Sequence, residues 1–305
     1  MQIGLSVTSA HPREQPATGA RFIVERAAAA RAAGFDSFSI GDHHATGRPY
    51  MQNVPMLARC LAELGDMPVI PLFLLPLWHP VLLAEQLGTL AAIAEGPLDC
   101  ILAVGDDNAQ FAPFNVPLDQ RRDRMEEALP LLRRLLTEEH VSHDGWLWQL
   151  DDVTISPRPQ RPPHFWIGAT ARVGVRRAGR VGDAWLAAPG TPEAVLRDRM
   201  AHFREAADAK GRLAGVPVFP IRRDVFIGVS DAEANAIAAP VLERGYRGFD
   251  PDVLIVGGPE TAIARLRELE EIGFDHTLIR FLPVGQDAIL ESIARVGRDV
   301  IPALR

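Results

Sequence analysis

PLFLLPLWHPVLLAEQLGTLAAIAEGPLDCILAVGDD, residues 71–107, reads as strand, helix, strand. Val69 to Leu75 is an apolar run too short to cross a bilayer, and a segment with a different period follows it. There Leu83, Leu87, Leu90 and Ala94 recur at helical spacing and form one stripe that must face a sheet. Gly96 and Pro97 stop the helix, and Leu98 to Val104 is again a buried strand. Strands that are apolar on both faces and are joined by a helix belong in a parallel sheet.

The rest of the chain extends this pattern. Ile3–Val7 reads as a first strand, Arg21–Ala33 as an alanine-rich helix ended by Gly34, Phe35–Ile40 as a second strand and Met51–Leu64 as a second helix. After the quoted units, Asp119–Leu136 is amphipathic, and Glu139–Leu150 reads as a hairpin turning at Asp144–Gly145. A proline-rich run, residues 156–163, feeds strand five at His164–Gly168. Helix five then begins near Ala171, strand six spans Asp183–Ala187, helix six Pro192–Lys210 and strand seven Arg223–Val229. Ala232–Asp252 is the least legible stretch, before a helix at Glu260–Ile272, a last strand at His276–Phe281 and a closing helix at Asp287–Ala303. The junctions AAGFDSFSI (32–40) and EIGFDHTLI (271–279) each place a glycine fit for a left-handed helix end before Phe-Asp and a strand. About eight alternations without a linker predict a single α/β domain over 1–305. That domain is a (β/α)8 TIM barrel with a hairpin inserted between helix four and strand five.

Composition narrows the function. The 305 residues are 47% hydrophobic and 23% charged, with a net charge of −7 and no basic run longer than a pair, so there is no electrostatic footprint for nucleic acid. Cys60 and Cys100 sit mid-helix and mid-strand, where free cysteines act as buried fillers. MQIGLSVTSA lacks the basic start of a signal peptide, and the expectation is a soluble cytoplasmic protein that does not enter a membrane.

In such barrels chemistry collects where strands end. Strand two ends in GDHH (41–44); neighbouring side chains of an extended segment point apart, so His43 and His44 are not expected to serve one site together. Asp42 beside His43 can fix an imidazole tautomer and tune proton transfer near neutrality. No metal is expected here, because DHH lacks the spaced second ligand pair of a zinc site. Strand five ends in WIGAT (166–170): small residues admit a ligand close to the backbone, and Thr170 can cap the next helix, whose free N–H groups favour an anion. Gly168, Ala169, Thr170 and Arg172 therefore form a candidate phosphate clamp.

HPVLLAEQLGTLAAIAEG followed by a strand ending in glycine resembles the third and fourth units of the bacterial luciferase-like flavin monooxygenases and their deazaflavin-using relatives. WIGAT leading to GRVGDAW, and GGPETAIARLRELEEIGFDHTLIRF near the end, are similar to the same family, so the resemblance spans most of the chain with 200–255 least covered. It implies that His43 lies near a flavin ring with Asp42 orienting it, and that the clamp holds the flavin phosphate. It further implies a non-prolyl cis peptide, which counting back from His79–Pro80 places between Pro71 and Leu72 against the ring. The family often has Gly-Gly-Arg before strand four and a second glycine or basic group after it. This chain has Glu95–Gly96–Pro97 and Gly105–Asp106–Asp107–Asn108 instead, and Asp106 can accept hydrogen bonds from the ring's N–H edge or from substrate. The activity implied is oxidation of a small organic substrate by oxygen and reduced FMN, the latter supplied by a separate reductase. Phe73, Trp78 and Trp185 are candidates to line the pocket. The alternatives are deazaflavin-dependent hydride transfer, a flavin-binding relative without turnover, and a metal-dependent barrel hydrolase. A homodimer is expected, with Met56, Leu57, Cys60 and Leu61 of the second helix facing either a partner or their own barrel.

Overall fold

A computed structural model describes residues 1–305. Its strands are β1 (Gln2–Val7), β2 (Ser37–Ile40), β3 (Leu72–Leu74), β4 (Cys100–Ala103), β5 (Val141–Asp144), β6 (Gln149–Val153), β7 (Phe165–Ala169), β8 (Ala184–Ala187), β9 (Pro220–Ile227), β10 (Ile255–Gly257) and β11 (His276–Phe281). Its helices are α1 (Pro16–Ala32), α2 (Asn53–Leu64), α3 (Pro80–Ile93), α4 (Asn108–Phe111), α5 (Arg121–Thr137) and α6 (Arg172–Val181). They continue with α7 (Glu193–Asp208), α8 (Asp231–Leu242), α9 (Pro259–Ile272), α10 (Gln286–Arg295) and α11 (Ile301–Leu304).

Eight parallel strands run in the order β2-β1-β11-β9-β8-β7-β4-β3. The ring closes between its ends: Phe38 N–H donates to Pro68 O at 2.9 Å, and Ile70 N–H to Phe38 O at 2.8 Å. This is the (β/α)8 barrel that the alternation of elements predicts. The β5–β6 hairpin stands outside the ring after α5, and Glu127 fastens it by accepting from the N–H groups of Leu147 and Trp148. One strand has no counterpart in the sequence reading. β10 adds to the ring by pairing with the last part of β9, whose first part pairs with β11. The closing helix is also less regular than its pattern suggests, with a π-turn at Val296–Val300 between α10 and α11. At that turn Gly297 packs so closely on Ala33 that a Cβ would lie 2.2 Å from the Ala33 carbonyl oxygen.

The faces of the strands sort by period. Ile3, Leu5, Ile221, Val225, Ile227 and Ile279 join the large core between barrel and helices, where the α3 stripe Leu83, Leu87 and Leu90 is also fully buried. Inside the ring a smaller cluster holds Ile70, Ile101, Trp166, Ala184, Leu186 and Leu278. Leu57, Cys60 and Leu61 of α2 are buried against their own barrel, so this face presents nothing to a partner. Cys60 and Cys100 are free and buried, and burial raises both thiols, Cys60 to about 12.

The N-terminal end of the barrel repeats one device. In the two Gly-Phe-Asp junctions the left-handed glycines Gly34 and Gly273 turn the chain, and the aspartate accepts the first N–H of a neighbouring strand. Asp36 takes Ile3 N–H at 2.8 Å, and Asp275 takes Phe219 N–H at 2.7 Å. Asp183 does the same for Phe165 at 2.8 Å, and Asp99 for His164 at 3.0 Å. Strand starts leave N–H groups unpaired, and a charged acceptor there is worth more than a neutral one.

Candidate active site at the C-terminal mouth

Strand two delivers Gly41-Asp42-His43-His44 to the mouth. Asp42 is buried, and its Oδ2 accepts from Leu74 N–H at 2.9 Å and from Trp78 Nε1–H at 2.8 Å. The carboxylate thus pins the end of β3 to the end of β2. Its other oxygen lies 3.1 Å from His44 Nε2 but off the line of a hydrogen bond, which leaves both atoms buried without a partner. Asp42 therefore abuts His44 and does not orient His43, contrary to the sequence expectation. The physical reason is the pleat: side chains two residues apart share a face, whereas neighbours do not. His43 turns instead toward Tyr50, with ring centroids 5.5 Å apart, and burial lowers its pKa although Asp107 opposes the shift. The neutral imidazole is thus favoured, with one donor and one acceptor nitrogen. His44 sits between Phe114 at 5.1 Å and Trp78 at 6.2 Å, and Gln110 accepts its backbone N–H. The backbone turns sharply after these histidines, with Ala45 at φ 50°.

The Pro71–Leu72 bond is trans, and the one cis bond in the chain is Ser156–Pro157. Pro71 is buried, its carbonyl accepting from Ile101 N–H at 2.9 Å, while Leu72 is half-buried and its carbonyl accepts from Asn53 Nδ2. Both carbonyls are thereby committed on either side of the bond. A cis peptide there would cost about 3 kcal/mol and turn at least one of them out of place. Phe73 and Trp185 point outward into the core, Trp185 donating to Ala169 O at 2.8 Å, so only Trp78 of the three aromatic candidates reaches the mouth.

Of the candidate clamp residues, Gly168, Ala169 and Thr170 stand at the end of β7, and Arg172 turns away. Gly168 faces the ring interior beside Ala103; a Cβ built on it would sit 3.5 Å from Ala103 Cβ, an ordinary contact. Gly168, Ala103 and Ala188 are half-buried small residues at strand ends, and they leave room over the sheet. The helix α6 is capped by Ala171 rather than Thr170, with no side-chain acceptor, so its first N–H groups have no partner from a cap. Thr170 is exposed one residue earlier, its carbonyl held by Arg199 Nε at 3.0 Å. Arg172 is engaged with Asp198 at 3.2 Å and exposed, so it does not reach into the mouth. Asp106 is exposed, while Asp107 caps α4 by accepting from Ala109 N–H at 2.9 Å.

Sequence reading missed a charged group on the opposite wall. β9 and β11 carry Arg222, Asp224 and Arg280 on their inward face, with Arg280 and Asp224 in register. Asp224 is completely buried and accepts from Tyr246 Oη–H at 2.8 Å and from Arg247 at 3.4 Å. Arg280 donates to Thr8 Oγ1 at 2.8 Å. The signal was present as charges at period two inside apolar strands, but strand seven was expected to begin at Arg223, which left Arg222 outside it. No group of three or more His, Cys, Asp or Glu side chains converges to hold a metal.

A closed parallel barrel whose polar side chains gather at the ends of its strands is an enzyme scaffold. The family model for luciferase-like monooxygenases matches residues 1–252, and the chain belongs to that family of oxidoreductases. An F420-dependent glucose-6-phosphate dehydrogenase of Intrasporangium calvum is 26% identical to it over 94% of this chain and 96% of its own. An FMNH(2)-dependent dimethylsulfone monooxygenase of Pseudomonas putida is 25% identical over 83% of this chain and 78% of its own. Among solved structures, monooxygenase RslO1 from Streptomyces bottropensis has the same fold, with a TM-score of 0.89 at 21% identity and all of both chains covered.

Proposed function

We propose that this chain is a flavin-dependent monooxygenase that uses reduced FMN and oxygen on a small organic substrate, with the barrel mouth as its active site and residues 1–305 as one catalytic domain. The observation that carries the reading is the pairing of two features across the mouth. On one side the small residues Ala103, Gly168 and Ala188 leave space beside the uncapped N-terminus of α6; on the other stand His43 and the Asp42–His44 pair. That combination fits a flavin: a flat ring needs close approach to backbone, and a phosphate needs unpaired N–H donors. Gly168, Ala169, Thr170 and the first turn of α6 would hold the phosphate, with Leu72, Ala103 and Asp106 toward the ring and Arg172 contributing charge at the rim. Reduced FMN, when bound, supplies the electrons for oxygen chemistry.

This chain's own groups do the rest. Neutral His43 can donate to or accept from a polar edge of cofactor or substrate without the cost of a buried charge. Asp42 keeps Trp78 and the end of β3 in place, and His44 packs beside it at the mouth. Phe114 and Trp78 cover that pair and keep water from it.

Deazaflavin-dependent hydride transfer is the second reading, favoured by the F420-dependent relative that matches nearly the whole chain. Anaerobic titration of the purified protein with reduced FMN and with deazaflavin, alongside His43→Ala and Thr170→Ala, separates the two. Saturable FMN binding weakened by Thr170→Ala supports the monooxygenase reading; preference for deazaflavin replaces it, and a folded protein that binds neither refutes both. A cytoplasmic setting, a separate flavin reductase and a homodimer complete the proposal. The free buried cysteines support the reducing compartment, and sedimentation velocity tests the dimer. No helix is long and apolar enough to cross a membrane.

A further inference from the structure

The wall formed by β9 and β11 is chemically unlike the rest of the ring interior. At mid-barrel the inward side chains are Ile101, Trp166, Leu186 and Leu278, yet Leu278 is in register with Arg222, and the next inward pair is Arg280 with Asp224. From above, the loop carrying Tyr246 and Arg247 bends down onto Asp224, with Arg247 held at φ 56° between the left-handed glycines Gly245 and Gly248. Two guanidinium groups, Arg222 and Arg247, thus lie within 3.5 Å of a single carboxylate, and Arg280 stands in register beside it.

The balance of partners is as informative as the charge. The nearest approach of Arg222 to Asp224 is 3.5 Å, from Nε to Oδ1, and both atoms are buried without a hydrogen bond. Arg280 spends one nitrogen on Thr8, and its Nε is likewise buried without a partner. The contrast with Arg223, the next residue, is direct. Its side chain faces the other way and is also buried, but it donates to the carbonyls of Pro189 at 2.9 Å and Thr191 at 3.0 Å. Arg223 is satisfied as a structural guanidinium, whereas Arg222 makes no side-chain hydrogen bond and faces the ring interior, where its donors can take an acceptor. Burial lowers the Arg222 pKa to about 10, which still leaves it charged at neutral pH.

We propose that Arg222 and Arg280, with Arg247 closing from the loop above, form a subsite for a small oxyanion, a carboxylate or a group of similar shape, carried by the organic substrate. The proposal rests on the reading of the mouth as the active site. Planar guanidinium groups match the paired oxygens of such a group, and a second cation offsets the charge that Asp224 has already claimed. The subsite is distinct from the cofactor clamp, because β8 lies between β9 and β7, the strand that leads to α6. Asp224 and Tyr246 act as positioning residues that fix the loop and hold Arg247 in reach.

Isothermal titration with sodium sulfate and with sodium acetate at low ionic strength tests it, using the full-length protein and its Arg222→Gln, Arg222→Lys and Arg280→Gln variants. Arg21→Gln, on an exposed face of α1, controls for general charge. The expected result is one saturable site in the parent and in Arg21→Gln, weakened about ten-fold or more in the two glutamine variants and partly restored by Arg222→Lys. Circular dichroism confirms that each variant is folded. Reduced FMN, titrated anaerobically into the same set, is expected to bind all of them alike. No saturable anion binding in the parent, or equal binding in every variant, overturns the proposal. Loss of FMN affinity in Arg222→Gln also overturns it, because the cluster would then serve the cofactor. If the parent takes sulfate in the pattern described but neither FMN nor deazaflavin, the anion subsite stands and the cofactor reading falls.

Discussion

Removing the Asp42 carboxylate should loosen the mouth by an amount that the structure lets one work out. Oδ2 accepts from Leu74 N–H at 2.9 Å and from Trp78 Nε1–H at 2.8 Å, both with a charged acceptor, and hydrogen bonds of that kind are worth about 1.5–3 kcal/mol each. Asp42→Ala leaves the buried Leu74 N–H unpaired, so a loss of about 3–5 kcal/mol is expected. Part of that is offset because Oδ1 is buried without a hydrogen bond, and its desolvation is relieved. Asp42→Asn keeps one acceptor oxygen and removes the charge, so about 1–2 kcal/mol is expected. At roughly 2–4 °C per kcal/mol for a chain of this size class, alanine should lower the melting temperature by about 6–20 °C and asparagine by about 2–8 °C. Differential scanning calorimetry at neutral pH measures both. Melting of Asp42→Ala within about 1 °C of the parent would refute the claim that this carboxylate ties β2 to β3.

Acidification should destabilise the fold through two buried histidines. Burial holds His276 and His11 at about 4, below the 6.5 of a free imidazole, so the unfolded chain binds more protons between these values. Stability is therefore full above pH 6.5, falls as pH drops toward 4 and levels off below it, and a shift of that size at His276 corresponds to about 3 kcal/mol. Urea titrations from pH 7 to 4 should show the decline, with a clearly smaller slope in His276→Gln, where that histidine's share is lost; an unchanged slope would contradict it. Asp183→Ala removes the acceptor of Phe165 N–H and the partner of Arg133 and Arg212, and should cost about 2 kcal/mol in urea unfolding, where a change under about 0.5 would count against the strand-start device. Gly88→Ala places a Cβ 1.9 Å from the Pro157 carbonyl oxygen, and should cost about 1–3 kcal/mol by overpacking, read from the same unfolding curves. Arg172→Gln breaks only an exposed ion pair with Asp198 and should leave the melting temperature unchanged.

The barrel was legible because its determinants are local. The period of Leu83, Leu87 and Leu90, the apolar run Leu98–Val104 and the glycines that end α1 and α9 each act within a few residues, and His276–Phe281 was placed with its observed bounds. What failed locally was what neighbours decided. The closing helix carries a π-turn where Gly297 packs on Ala33, the residue after α1, and β10 pairs with the end of β9.

The sequence by itself determined which segments form strands and helices, and that small residues, histidines and carboxylates stand where strands end, since these follow from side-chain period and turn chemistry. Only the tertiary structure decided which of those residues meet. Asp42 reaches Trp78 and His44 rather than His43 because the pleat alternates faces; Pro71–Leu72 is trans, and two distant donors, Ile101 N–H and Asn53 Nδ2, hold the carbonyls on either side of it. Arg222, Asp224 and Arg280 form one charged wall because residues 56 positions apart lie in register, a relation set by closure of the ring and invisible in any single stretch of the chain.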